Sequence, residues 1–475
     1  MPHVISLIEG DGVGKEVVDA TVSIIDACGI KIIWEKCEAG KKCFEKGIET
    51  GVTKETIESI KKNKVSLKGP LETPVGFGAK SANVTLRKIF QTFANIRPIK
   101  TIKGVATPYS DRMIDLVIVR ENLEDLYAGI EHMQSPNVSQ CLKLISDKGC
   151  QRIIRTAFEL ARAEGRKTVH CATKANIMKF SEGMMKKTFE EISKEYPEIE
   201  SNHIIVDNCA HQLVKKPEQF EVIVTTNMNG DILSDLSSAL VGGLGIAPSA
   251  NLGNDYAIFE AVHGSAPKHA GQNTINPTAT LLSGVMMLRH LGEFEASTLI
   301  ENALLFTIAK DAVLTKDVSI NNNFASTSDF TKQIIKNLGK KYDHYEPRKY
   351  TPIKPIKKYQ PLLVQKRQLV GIDLFIETEH AVFGIGKKIE DLLQGHNFYL
   401  KLISNNGVKI YPSQTEISQD TTNVLRLRIL SLSNTNDDEI LDLVKYLQKH
   451  FAWMHLEKLY KFDNKDSYTK AHGED

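Results

Sequence analysis

From residue 1 to about 340 the chain alternates short β-like runs with amphipathic helical stretches. Ile5-Ser6-Leu7-Ile8 precedes a helical pattern from Glu16 to Ala27, and Val222 to Thr225 precedes another from Ile232 to Leu240. Such alternation restricts this region to an α/β core, because apolar strands need helices to cover their faces. With 475 residues the chain exceeds one core, and roughly 150 residues per domain points to about three lobes. Between Tyr342 and Gln365 the pattern breaks, with prolines at 347, 352, 355 and 361 among Lys and Tyr, which reads as a linker. Beyond it, strands are expected at Leu369 to Glu377 and Val424 to Leu432, and a helix at Gly384 to Leu393. A hairpin from Phe398 to Pro412 should turn at Asn405-Asn406-Gly407. A second helix from Asp437 to His450 should present Ile440, Leu441, Val444 and Leu447 on one face, with a last short strand near Trp453. This order fits a small α+β domain of ferredoxin-like or ligand-sensor type. There are no internal repeats.

The 60 basic and 58 acidic side chains leave a net charge of +2, so bulk charge supports neither nucleic-acid nor membrane binding. The chain opens directly on apolar Val4 to Ile8 and contains no run of about 18 apolar residues, which sets the expectation of a cytoplasmic protein. Seven cysteines, at 28, 37, 43, 141, 150, 171 and 209, lack metal-finger spacing and are expected to be reduced, mostly buried thiols.

Gly10-Asp11-Gly12-Val13-Gly14 follows the first strand, but its third glycine comes one residue too early for a dinucleotide-binding fingerprint. A tight strand-to-helix turn is the better reading. Gly242-Gly243-Leu244-Gly245 is either a plain turn or a close backbone approach. More chemistry lies in Asn229-Gly230-Asp231-Ile232-Leu233-Ser234-Asp235, which opens a helix and puts Asp231 and Asp235 one turn apart on one face. Two such carboxylates repel unless solvated, used as a cap, or joined by a hard cation such as Mg²⁺ or Mn²⁺. Arg87, Arg97 and Arg120, in segments that also hold Ser81, Asn83 and Tyr127, suit a pocket for a polycarboxylate.

Ser81, Asn83, Arg87, Arg120, Tyr127 and Asp231 lie in a set of motifs: Lys80-Ser81-Ala82-Asn83-Val84-Thr85-Leu86-Arg87, Arg120-Glu121-Asn122-Leu123-Glu124-Asp125-Leu126-Tyr127-Ala128-Gly129, Lys174-Ala175-Asn176-Ile177-Met178-Lys179, Asn227-Met228-Asn229-Gly230-Asp231 and His263-Gly264-Ser265-Ala266-Pro267-Lys268. In them the chain resembles the isocitrate and isopropylmalate dehydrogenase family, specifically its long, Thermus-like, NADP-dependent bacterial branch with a C-terminal extension. The resemblance implies a non-Rossmann α/β fold: a discontinuous large lobe (1–100 and 242–340), a small lobe (101–241) carrying a dimer clasp near 125–146, a linker (341–365), and a C-terminal α+β domain (366–475). It further implies oxidative decarboxylation of isocitrate to 2-oxoglutarate with NADP, a step of the tricarboxylic acid cycle. Homoisocitrate or isopropylmalate are the alternative substrates, and a scaffold role through the C-terminal domain is the alternative of another class. Ser81, Asn83, Arg87, Arg97 and Arg120 would hold the substrate; Asp207, Asp231 and Asp235 would hold Mg²⁺ or Mn²⁺; Lys174 would act as base and Tyr127 as acid. Lys174 and Asp207 would reach the site from a partner subunit, so at least a homodimer is implied. Thr73, Asn176, His263, Gly264, Lys268, His269, Ile275 and Asn276 would contact NADP, with Lys268 and His269 near the 2′-phosphate. The stretch Asn321, Asn322 and Asn323 departs from the better-known bacterial pattern.

Overall fold

The computed structural model describes residues 2–72, 81–319, 323–345, 348, 353, 359, 361, 363–378, 382–412 and 422–474. Two compact units emerge: Met1–Ala128 with Leu144–Gln360, and Gly129–Lys143 with Pro361–Asp475. Most of the expected linker, together with Thr73, Lys80, Asn321 and Asn322, lies outside the described residues.

The first unit is built on a ten-stranded mixed sheet. Its strands lie in the order Ile32–Cys37, His3–Ile8, Val65–Lys68, Ala257–Ala261, Pro248–Leu252, Ala94–Lys100, Asp115–Glu121, Val222–Thr225, Thr168–Thr173 and Glu200–Ile205. Pro248–Leu252 pairs antiparallel with both neighbours, and Ala94–Lys100 pairs antiparallel with Asp115–Glu121. The flanking pairs are parallel. This is not the all-parallel order of a doubly wound nucleotide fold. Strand runs such as Val222–Thr225 are buried at every position, as sheets covered on both faces require.

The strand Ala94–Lys100 has two different faces. Asn95 and Arg97 point one way. Ala94, Ile96 and Pro98 point the other, into a cavity of about 620 Å³ that Phe259, Leu282, Met286 and Leu305 also line. The helix expected from Ile232 starts earlier and spans Asn227–Val241. Asp231 therefore lies inside the second turn and is not the cap. The helix ends at Gly242, φ 132°, where a side chain would strike Val105, so the glycine cluster is both a terminator and a close approach. The first glycine loop behaves similarly: Gly12 has φ 56°, and a Cβ there would sit 2.0 Å from the Ser265 carbonyl oxygen. The Val13 amide donates to that same oxygen at 2.9 Å. All seven cysteines are free, with Cys43, Cys150, Cys171 and Cys209 buried and Cys141 exposed. Among the described residues no helix is long and apolar enough to cross a membrane.

The second unit contains the hairpin Glu131–Ser135/Val138–Cys141, inside the expected clasp segment, and a six-stranded antiparallel sheet. Its chain order is strand Arg367–Glu377, helix Val382–Leu393, strands Phe398–Asn405, Val408–Tyr411 and Val424–Ser431, helix Asp437–Leu447, and strands Ala452–Phe462 and Lys465–Asp466. The hairpin turn falls at Asn406 and Gly407, both with positive φ, as a two-residue turn demands. Alternate residues Ile372, Leu374 and Ile376 pack with Leu425, Leu427 and Ile429 and with Ile440, Leu443, Val444 and Leu447 of the second helix. Leu441, expected on that face, is 54% exposed. It lies about 100° around the helix from Ile440, and Leu443 takes the inward position.

Arg428 pins the sheet to the chain end. Its guanidinium is buried, donates to both carboxylate oxygens of Asp373 at 2.9 and 2.8 Å, and reaches the Thr469 carbonyl at 2.9 Å and Glu474 at 3.0 Å. Arg428→Met should leave the Glu474 carboxylate without its cation and Asp373 with Arg426 alone, 3.7 Å away, and destabilise the C-terminal domain by about 3–5 kcal/mol. Calorimetry should show an unfolding transition moved to lower temperature; an unchanged thermogram would refute the assignment.

Candidate active site

Four elements of the first unit supply the expected substrate residues and two of the expected metal ligands. The helix Ala82–Ile89 places Asn83 and Arg87 one turn apart, with Ser81 at its N-cap position. The strand Ala94–Lys100 contributes Asn95 and Arg97, and Arg120 lies directly across from Asn95 on the strand Asp115–Glu121. The helix Asn227–Val241 carries Asp231, Ser234 and Asp235 on one face. Asn83, Arg87 and Arg97 line a cavity of about 90 Å³ with Glu260, Ser249, His263 and Gly264. Expected substrate and cofactor residues thus meet at one opening.

A continuous polar network holds the arginines. Arg97 donates to Asn95 at 2.6 Å, to Ser234 at 2.6 Å, to Asp231 at 3.3 Å and to Asp235 at 3.5 Å. Asn95 donates to Asn251 at 2.7 Å, and Asn251 donates to Glu260 at 2.7 Å. Glu260 in turn is bonded to Lys68 and accepts from Arg87 at 3.1 Å. On the other side Arg120 donates to Asn227 at 2.9 Å and to Asp231, and Tyr127 donates its hydroxyl to Asp231. The Arg120 guanidinium lies over the Tyr127 ring, 4.9 Å from its centre.

The charges follow from this packing. Burial, and then the nearby Arg97 and Arg87, pull the Arg120 pKa down to about 10, which leaves it protonated at neutral pH. Burial opposes ionisation of Glu260, but Lys68 and Arg87 hold its carboxyl well below the usual carboxylate range. For Asp231 burial is likewise outweighed, by Arg120 and Arg97, and the carboxyl stays below its ordinary value. Asp235 goes the other way: burial and the like charge of Asp231 raise it despite the attraction of Arg97. Burial and the hydrogen bond to Asp231 push the Tyr127 phenol up, so it keeps its proton at pH 7.

Several groups here await a partner. Among the described residues, Asn83 Oδ1, Arg87 Nε, Arg120 Nη2 and His263 Nε2 are buried without one. Unsatisfied buried polar atoms are costly, and a ligand rich in carboxylate oxygens would satisfy the guanidinium nitrogens. Asp231 and Asp235 are suitable donors for a hard cation, which would also relieve their mutual repulsion. Yet among the described residues no group of three His, Cys, Asp or Glu is placed to hold a metal. Within one chain Asp207 is not brought to the other two aspartates. It is exposed and accepts from Lys174 Nζ at 2.7 Å, a bond that lowers its pKa.

His263 is kept neutral by burial. Lys268 and His269 stand exposed in the short turn Pro267–His269. Glu16, in the first turn of the helix Gly14–Ala27, grips the following loop by accepting from the Gly271 amide at 2.5 Å and the Asn273 amide at 3.1 Å. Asn176 is exposed and Ile275 half-buried. Asn276 is buried, donating to Asp317 at 3.0 Å and accepting from the Thr278 amide at 3.0 Å. Sequence reasoning missed Asn95, Ser234, Lys68, Asn251 and Glu260. The first two carry a signal, two residues before Arg97 on a strand and three after Asp231 on a helix. The others meet only through sheet pairing.

Comparison with known proteins agrees with this geometry. Residues 4–334 match the family described as isocitrate/isopropylmalate dehydrogenase, and residues 367–474 match bacterial isocitrate dehydrogenase, C-terminal domain. The chain is 57% identical to the isocitrate dehydrogenase (NADP) of Thermus thermophilus, covering 99% of this chain and 96% of the relative. A crystal structure of a protein from Thermus thermophilus superposes with a TM-score of 0.96 at 57% identity over 99% of this chain and 96% of that one. Isocitrate dehydrogenase from Methylococcus capsulatus gives a TM-score of 0.68 at 44% identity, covering 71% of this chain and 99% of its own. Matched along both of its parts, the chain belongs to the isocitrate/isopropylmalate dehydrogenase family.

Proposed function

We propose that this protein oxidatively decarboxylates isocitrate to 2-oxoglutarate and CO₂ with reduction of NADP; its full-length relatives are named isocitrate dehydrogenase (NADP). The observation that carries the reading is the convergence of Arg87, Arg97 and Asn83 on one opening shared with His263 and Gly264, beside Arg120 and a protonated Tyr127. Guanidinium forks suit the carboxylates of a tricarboxylic acid. Ser81 and Asn83 favour a third carboxylate over a branched alkyl group, because a buried amide left facing alkyl costs about 1–3 kcal/mol. Exposed Lys268 and His269, on a loop tethered by Glu16, would meet the 2′-phosphate. Asp317 and the Thr278 amide engage the Asn276 side chain, so its backbone is the part left for adenine.

Asp231 and Asp235, with Asp207 from a second copy, would hold Mg²⁺ or Mn²⁺, which when bound withdraws electrons from the substrate carbonyl oxygen. Lys174 of that second copy takes the alcohol proton as hydride leaves for the nicotinamide, and the Tyr127 hydroxyl returns a proton to the carbon that has lost CO₂. The separation of the Lys174–Asp207 pair from Asp231 supports an assembly of at least two chains. We also read the protein as cytoplasmic and the C-terminal domain as ferredoxin-like. Its four long strands lie in the order Ala452–Phe462, Arg367–Glu377, Val424–Ser431, Phe398–Asn405, with short strands added at both edges.

Purified protein with Mg²⁺ should reduce NADP far faster than NAD with isocitrate, and should turn over neither isopropylmalate nor homoisocitrate comparably; preference for either alternative would overturn the substrate assignment. Tyr127→Phe should slow decarboxylation and enol protonation by roughly tenfold or more while sparing hydride transfer, and equal loss in every partial reaction would refute the acid role. Because Asp235 has a raised pKa in the folded state, its ionisation costs stability, a cost that builds as the pH rises above the unfolded pKa and is complete above the folded one. Asp235→Asn should therefore slightly raise the unfolding temperature of metal-free protein at pH 7, by about a few tenths of a kcal/mol given a 55% exposed side chain, with the gain vanishing in acid. Added Mg²⁺ should stabilise the parent and not the variant.

A further inference from the structure

Asp125 holds a conformation that needs explaining. Its φ is 69°, in the left-handed region that residues other than Gly, Asn and Asp seldom adopt, and it is completely buried. Its carboxylate accepts two backbone amides, Leu126 N–H at 2.8 Å and Met228 N–H at 2.9 Å. Its own amide donates to the Leu144 carbonyl at 2.8 Å, and its carbonyl accepts from Ala128 N–H at 3.1 Å. Leu126–Ala128 is the short turn that carries Tyr127. Met228 lies in the first turn of the helix Asn227–Val241, where Thr226, at the N-cap position, makes no side-chain cap. A carboxylate drawn from about a hundred residues away takes that place, which suits both the free amides and the positive end of the helix dipole.

One buried side chain therefore ties the turn bearing Tyr127 to the helix bearing Asp231, the two residues whose hydrogen bond orients the phenol. A second, weaker tether runs beside it, from Asn227 Nδ2 to the Glu124 carbonyl at 3.2 Å. We infer that Asp125 is a positioning residue for proton delivery: it sets the Tyr127 hydroxyl against Asp231 through the Met228 amide, without touching substrate itself. This rests on the reading of Tyr127 as the acid.

The test is a comparison of partial reactions in the full-length enzyme with Mg²⁺. Asp125→Asn preserves size and tolerance of positive φ, but an amide has one acceptor oxygen, so one of the two backbone amides would face an NH₂ group. Asp125→Gly also tolerates the backbone and removes both bonds, which covers the case in which the Asn variant fails to fold. Both should slow exchange of the protons beside the carbonyl of 2-oxoglutarate by roughly tenfold to a hundredfold. The KM for isocitrate and the NADPH-dependent reduction of the β-keto acid should change by less than about threefold. In a Tyr127→Phe background neither substitution should slow exchange further. Equal loss in all partial reactions, or a full additional loss in the Tyr127→Phe background, would reduce Asp125 to a structural residue and overturn the inference. If Tyr127→Phe alone is unselective, the acid reading fails and this inference fails with it. If Tyr127→Phe is selective and the Asp125 variants are not, only the positioning role falls.

Discussion

Arg97 and Arg120 are both almost wholly buried, and two cations removed from water side by side are tolerable only beside anions. The helix Asn227–Val241 supplies them, and much of the first unit is arranged around that need. Its early start brings Asp231 between the two guanidiniums, and Ser234 and Asp235 follow one turn later. Farther along the cleft Glu260 does the same for Lys68 and Arg87. The carboxylates that steady the arginines thus leave a site still rich in positive charge and in donors without partners, which is what a polyanionic substrate requires. They are also acids suited to a divalent cation, so the loading of substrate and metal redistributes one set of ion pairs.

The fold was legible where local chemistry and tertiary context agree. Val222–Thr225 reads as a strand from its apolar run and is one to the residue; the Asn406-Gly407 turn follows from the positive φ its hairpin demands. The C-terminal strand near Trp453 proved longer than expected, Ala452–Phe462, because its charged and aromatic residues lack clear alternation. The start of the helix at Asn227 could not be read, since Asn-Met-Asn-Gly resembles a turn and its cap, Asp125, is remote in sequence. The strand Pro248–Leu252 was hidden for a similar reason: its leading proline follows a glycine cluster, and antiparallel pairing on both sides is a property of the sheet.

The site divides along the same line. Arg87, Arg97, Arg120 and Asp231, all named from the sequence, come together in one network, and Asn83 lines the same cavity as Arg87 and Arg97. The Lys174–Asp207 pair does not join them within a chain, and no sequence pattern states which copy a residue serves. Asn251 and Glu260, central to the network, carry no motif; strand pairing alone aligns Asn251 with Asn95 and lets it reach Glu260.

The strand Ala94–Lys100 forms a partition one backbone thick. On the cleft side Arg97 is fastened by short hydrogen bonds to Asn95 and Ser234. On the other side Ala94 and Ile96 are buried in the apolar core, and ladders to Pro248–Leu252 and Asp115–Glu121 hold the strand along both edges. The apolar layer and the charged layer therefore share one backbone, with no side chain between them to absorb a shift. A change of volume at Ile96 is felt at the Arg97 guanidinium as a change of aim, so the core side of this strand belongs to the design of the site as much as the polar side does.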